Sequence, residues 1–170
     1  MDVMKVIRTR RSIRKYKSRT IEEKKIEKIL EAGMLSPSAA NRQPWHFIIV
    51  TDKELKSRLR EAYDKEWFVL APTILIVCAD PQEAWSRMDG EEYWKVDAAI
   101  AMQNMILQAW EEGLGTCWIA GFNEPPVKQI LKIPEHIRVV AMTPIGYPDE
   151  EKGEVINRKA KSEVFHSEEW

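Results

Sequence analysis

Arg10, Arg11, Ser12 and Arg14 carry the densest chemistry in this sequence. Two adjacent guanidinium groups beside a hydroxyl suit a phosphate monoester, because the arginine fork addresses two oxygens and the serine offers a short donor to a third. Arg14 lies two positions beyond Ser12, so in an extended segment both side chains leave on the same side and can reach different parts of one ligand. These residues belong to a wider cluster. Residues 1–19 hold eight Lys or Arg (Lys5, Arg8, Arg10, Arg11, Arg14, Lys15, Lys17, Arg19) against one Asp, whereas the 170-residue chain has 26 basic and 27 acidic side chains and a net charge of -1. A local excess of this kind attracts nucleic acid, an acidic membrane surface or the phosphate of a small cofactor, or else it is a solvated face.

Other chemistry finds little support. There is no GxSxG elbow and no Walker A sequence. Gly113-Leu114-Gly115 has the first two glycines of a dinucleotide fingerprint without the third, and it follows a helix where that fingerprint needs a strand. His46, His136 and His166 are scattered, which favours structural roles. The acid pairs Glu91-Glu92, Glu111-Glu112 and Glu168-Glu169 are sequence neighbours and point to different faces of any regular element, so paired-carboxylate catalysis is not expected. Cys78 and Cys117 stand far apart with no second Cys or His at ligand spacing, so neither a metal site nor a disulfide framework is expected. Apolar residues make up 44% and charged residues 31%, as in a soluble globular protein. No apolar run approaches the roughly 18–20 residues of a membrane span. The start MDVMKVIRTRRS lacks a signal-peptide core, so a cytoplasmic protein with no membrane association is expected.

The elements that must position the arginines follow from pattern. No repeat or linker interrupts the chain, so 1–170 reads as a single domain. Asp2 caps a short helix that ends near Arg10–Ser12. Thr20 and Glu23 have capping-box spacing ahead of an apolar stripe of Ile26, Ile29, Leu30, Gly33 and Met34. The run 36–44 (SPSAANRQP) is a loop feeding a strand at 45–50, read as central from its apolar content. Thr51 and Glu54 open a charged helix over 52–62, and 73–78 is a second strand. Residues 95–112 form the strongest helix, with eleven of eighteen apolar and a narrow polar stripe of Asp97, Asn104 and Gln108, so nearly all its sides must be covered by the domain centre and a subunit interface. A short strand over 116–119, a brief helix after Pro125-Pro126 and a strand at 138–146 follow; Pro144 argues that the end of this last strand is an edge or a bulge. Residues 149–170 are polar apart from Val164, Phe165 and Trp170 and read as a tail packed on another surface. The alternation makes the class α+β or α/β.

Taken together, RRSIRKY at 10–16, SPSAANRQPWHFIIV at 36–50, GLGTCWIAGF at 113–122 and the late IGYP with Arg158-Lys159 resemble, in order and spacing, the FMN-dependent nitroreductase family. The resemblance covers nearly the whole chain and is most specific in the 36–50 run. It implies an α+β subunit with a mixed central sheet of four to five strands surrounded by helices. It also implies a homodimer with FMN in clefts between subunits and the 149–170 extension packing on the partner. Carried over residue by residue, it makes Arg10, Arg11 and Ser12 phosphate and ribityl ligands, and Arg14 the cation near N1 and the C2 carbonyl. Pro37, Ser38, Ala39, Asn41 and Gln43 become the stretch reaching the flavin from the other subunit. Ile119, Ala120 and Gly121 become the backbone at the ring edge, and Arg158 and Lys159 a returning basic pair. The implied activity is two alternating half-reactions through flavin N5, from NAD(P)H to a small-molecule oxidant such as a nitroaromatic or a quinone, with no catalytic side chain.

Tyr63, Trp67, Tyr93 and Trp94 flank the variable region and are candidates for the substrate pocket. Trp45 and Trp118 read as core, and Cys117 as a small buried filler. Fourteen residues between Asp80 and Lys95 are too few for a long helical lid, which favours an open pocket. Two alternatives remain. One is a same-fold flavoprotein that fragments flavin, dehalogenates or carries flavin. The other is a small nucleic-acid-binding protein using residues 5–19, although that stretch has a single aromatic, Tyr16, and no nucleic-acid module is recognisable, so no nucleic-acid partner is expected.

Overall fold

The hydrophobic run 73–78 sits in the middle of the molecule and organises everything else. In the computed structural model, which describes residues 2–170, it forms β2 (Thr73–Ala79), a strand buried along its whole length. Alternate residues serve two cores: Leu75, Val77 and Ala79 face one cluster, while Ile74, Ile76 and Cys78 face another. A strand covered on both faces has no reason to alternate apolar with polar residues, which explains the unbroken apolar run. β2 pairs antiparallel with β1 (Trp45–Val50) on one side and β4 (Arg138–Gly146) on the other. The short β3 (Gly115–Thr116) completes the order β1-β2-β4-β3. All named strands pair antiparallel, and the parallel part of the sheet is a single bridge, Ser12 to Thr116.

On one face lie α2 (Glu23–Met34) and α5 (Trp94–Glu111). They approach so closely at Gly33 that an added Cβ would stand 2.8 Å from Met105 Sδ. The other face is covered by α3 (Lys53–Arg58), α4 (Glu66–Val69) and α6 (Glu124–Leu131), while α1 (Val3–Thr9) rests against α5.

Several expectations need correction. The strand at 45–50 is an edge strand, because β2 and β4 take the middle positions. α2 starts at Glu23 with Glu22 as its cap residue and no side-chain cap; Glu22 is engaged instead by Tyr147 Oη and Arg19, and Ile21 anchors the entry in the core. Met34 turns out to solvent. The helix expected over 52–62 is a short α3 continued by a 3₁₀ turn (Leu59–Glu61), and its cap is Asp52, which accepts from Leu55 N at 2.8 Å. Pro144 lies inside the sheet, opposite Ile74. Met142 N donates to Ile119 O, so the missing N–H of Pro144 faces the same side two residues on. The ladder between β3 and β4 therefore lapses beside Cys117, whose N–H donates instead to Thr143 Oγ1 at 3.1 Å. The strand expected over 116–119 is split in two by this one proline. Trp118 is also more than a third exposed, whereas Trp45 is buried.

Candidate functional site

The basic segment leaves α1 as an added strand. Asp2 caps that helix by accepting from Met4 N, and the chain turns out of it at Arg10. Ile13 N donates to Thr116 O at 2.8 Å and Ser12 bridges Thr116, so the arm docks in parallel on β3. Ile13 is 1% exposed and plugs this docking site. It fits because residue 115 is glycine: a Cβ there would lie 2.6 Å from Ile13 Cγ1 and 2.7 Å from Ile13 Cβ. Gly113 has a different task. At φ +76 it makes the left-handed turn that ends α5, with Leu114 N donating to Ala109 O and Gly113 N to Trp110 O. The two glycines of GLG thus answer a helix end and a close packing contact.

A second set of contacts braces the arm from the chain's later part, and the sequence reading missed it. Lys17 N donates to Tyr147 O and Asp149 N to Lys15 O. Glu150 accepts from Arg14 N, and Lys152 Nζ donates to Ser12 O at 2.8 Å while pairing with Glu150 at 3.0 Å. Opposite charges two residues apart would have been the only signal, because the contacts cross more than 130 residues.

The eight basic residues divide by partner. Lys15 pairs with Asp149 at 3.1 Å and Arg19 with Glu22 at 2.6 Å, whereas Arg10, Arg11 and Arg14 make no ion pair among the described residues. Arg10 is held below the usual guanidinium range by burial first, then by the nearby positive charges of Arg158 and Arg11. Arg158, on the exposed tail, thus lies within electrostatic reach of Arg10, and Lys159 follows it in sequence. Partly buried cations that repel one another and lack a carboxylate form a site with an unmet demand for an anion. With the Ser12 hydroxyl beside them, phosphate is the anion whose charge and oxygens match.

Around this cluster lie further expected residues. The Arg14 guanidinium stands 5.8 Å over the Trp67 ring, and Trp67 meets Tyr63 edge to face at 5.9 Å. Asn123 N donates to Ala62 O, tying the 119–123 segment beside them. Ile119 is buried and bonded both ways to Met142, while Ala120 and Gly121 are exposed, with open space where a Gly121 Cβ would point.

A second group forms elsewhere. The 37–43 loop carries Pro37, Ser38, Ala39, Asn41 and Gln43, and Ala40, Asn41 and Gln43 all have positive φ. It sits against α5 from the first turn to just past the middle: Asp97 Oδ1 accepts from Ala39 N at 2.9 Å, and Asn104 Nδ2 donates to Ser36 Oγ, at the loop's base, at 2.8 Å. Tyr93 lies at this end, packed edge to face on Trp85. Trp94 does not line a pocket: it is 4% exposed in the core, with its indole N–H donating to Glu92, because it opens α5 on the side that faces the sheet. The arm belongs to the other end of α5, where Trp110 donates to Thr9. Thirteen residues of helix, about 20 Å, separate Asp97 from Trp110, so a single chain does not bring the loop to the arm.

Comparison with known proteins places the chain. The sequence profile of the nitroreductase family matches residues 7–72 and 63–147. A Methanothermobacter thermautotrophicus protein provisionally named an NADH dehydrogenase/NAD(P)H nitroreductase is 39% identical over 158 residues, covering 90% of this chain and 81% of its own. A crystal structure of a nitroreductase family protein from Clostridium difficile 630 superposes with a TM-score of 0.93 at 28% identity, covering 100% of both chains. An FMN-dependent nitroreductase from Clostridium difficile R20291 superposes with a TM-score of 0.85 at 33% identity, covering 98% of this chain and 99% of the other. The chain belongs to the nitroreductase family.

Proposed function

We propose that this chain is the subunit of a homodimeric, FMN-dependent oxidoreductase that takes reducing equivalents from NAD(P)H and delivers them to a small oxidant such as a nitroaromatic or a quinone. The observation that carries the reading is the set Arg10, Arg11 and Arg158, whose positive charges meet at half-buried Arg10 with no acidic partner among the described residues. FMN supplies the redox chemistry when bound, accepting hydride at N5 and passing the electrons on. The chain's own residues bind and orient. Arg10, Arg11, Ser12 and Arg158, with Lys159, hold the phosphate and ribityl part. Arg14 sets positive charge at the pyrimidine edge, which favours electron density there and raises the reduction potential. The 119–121 backbone faces the ring edge, and Tyr63 and Trp67 flank the approach of an oxidant.

The separation of loop and arm along α5 supports the dimer. A second copy is needed to bring a 37–43 loop to each arm, and the single chain leaves open apolar surface to receive it: Val3 and Leu35 are exposed at a groove of about 520 Å³, and Met4, Ile7 and Ile100 are exposed on α1 and α5. Phe165 and Trp170 project from a tail exposed throughout 153–170 and would pack on that second copy. The short 81–93 connection leaves the flavin approach open. Reconstitution tests the reading: the protein should turn yellow with FMN, quench its fluorescence, and be bleached by NADH or NADPH without air. Arg10→Ala with Ser12→Ala should remain colourless. Wild-type protein that binds no FMN would overturn it.

A further inference from the structure

Asp97 is the most demanding polar residue in the molecule. It is 1% exposed within the first turn of α5, one oxygen accepts the Ala39 amide, and the other is buried without a hydrogen-bond partner among the described residues. A buried carboxylate with an unmet oxygen costs stability, and a neutral or apolar residue would serve the helix as well. What Asp97 does touch is a loop with a costly backbone conformation. Ala40, Asn41 and Gln43 sit at φ 50, 54 and 51, a conformation that L-residues adopt reluctantly and that persists only when surroundings impose it. Within the loop, Asn41 N donates to Ser38 O, Arg42 N to Ala39 O and Gln43 N to Ser38 Oγ at 2.9 Å. One stripe of α5 adds the outside anchors: Asp97 Oδ1 accepts from Ala39 N, and Asn104 Nδ2 donates to Ser36 Oγ at the loop's base.

We propose that Asp97 is a positioning residue: its buried carboxylate, with Asn104 seven residues on, holds the 38–43 loop in its left-handed form and so pre-shapes the flavin site of the neighbouring subunit. This rests on the FMN reading given above. Aspartate suits the place because its short side chain brings an acceptor oxygen to the Ala39 amide, which an apolar residue does not offer. Pre-shaping matters for affinity because a loop that must be ordered on binding subtracts that cost from the binding energy.

The test uses full-length protein. In the cofactor-free dimer, Asp97→Ala should speed hydrogen–deuterium exchange across residues 38–43, and its FMN affinity should fall about tenfold or more, the range of a lost charge-assisted bond. The visible circular dichroism of bound flavin should change. Asp97→Asn, which keeps an oxygen for Ala39, should fall between wild type and Asp97→Ala. Mixed dimers of Asp97→Ala with Arg10→Ala/Ser12→Ala chains give the decisive result: both lesions fall on one site, the other site is intact, and each mixed dimer recovers one tightly bound FMN. Wild-type exchange and affinity in Asp97→Ala, or mixed dimers that recover no site, overturn the proposal while wild-type FMN binding leaves the flavin reading standing. If Asp97→Ala does not fold, Ser36→Ala decides, since it releases the Asn104 anchor: faster loop exchange with weakened FMN binding supports the proposal, and neither overturns it.

Discussion

Gly115→Ala should damage cofactor binding without touching any ligand. The new methyl would stand 2.6, 2.7 and 3.0 Å from Ile13 Cγ1, Cβ and Cγ2, against the roughly 3.5–4.0 Å at which carbons rest in contact. Rotating the Ile13 side chain cannot relieve this, because one of the three atoms is its Cβ, fixed to the backbone. The arm itself must retreat by about 1 Å, straining the Ile13 N to Thr116 O bond that docks it. Overpacking on this scale costs about 2 kcal/mol, which for a chain of this length lowers Tm by about 4–8 °C. Arg10, Ser12 and Arg14 ride on the displaced segment, and a shift of about 1 Å in positioning groups can cost on the order of a hundredfold in turnover. Thermal unfolding by circular dichroism and FMN fluorescence titration read the two effects separately. Ile13→Ala in the same chain removes two of the three contacts and should recover part of the FMN affinity lost to Gly115→Ala. A Gly115→Ala protein with wild-type Tm and wild-type FMN affinity would show that the arm is not seated as described.

The later brace and a helix end yield further expectations. Lys152→Ala removes the donor to Ser12 O and the partner of Glu150, so FMN affinity should fall by about three- to tenfold, the effect of one charged hydrogen bond on a half-exposed segment; equal affinities by titration would refute the brace. Glu150 is held below the usual carboxylate range, chiefly by the Arg14 N–H and then by Lys152. Its folded pKa is depressed, so its contribution is present above the ordinary glutamate pKa and is lost as pH falls through the depressed value. Wild type should therefore exceed Glu150→Gln in Tm at neutral pH, with the gap closing in acid, and a gap that widens on acidification contradicts the assignment. Lys132 ends α6 in the left-handed conformation at φ 55, so Lys132→Gly should raise stability by about 0.5–1 kcal/mol in urea titrations.

Much of this protein is written in local pattern. Strand β2, helix α5, the cap at Asp2 and the Arg10–Arg14 cluster are legible because each depends on residues near in sequence: an apolar run, a helical period, a cap spacing, a block of charge. The polar stripe of Asp97 and Asn104 was visible too, though not what it was for. Tertiary structure decided the matters that depend on distant partners. Which strand is central follows from pairings between residues at least 24 apart in sequence, and so 45–50 became an edge. Pro144 sits inside the sheet where the β3–β4 ladder lapses, and the Cys117 N–H there donates to the Thr143 hydroxyl instead of to a strand carbonyl. Gly115 is glycine because Ile13, a hundred residues earlier, lies on it. Glu150 and Lys152 matter because the chain returns to its own start. The sequence alone determined that a basic arm and a polar turn-rich loop exist; only the fold set the Asp97-anchored loop and the arm beside Trp110 apart, because α5 is a rigid rod about 27 Å long that carries the two anchors at different levels.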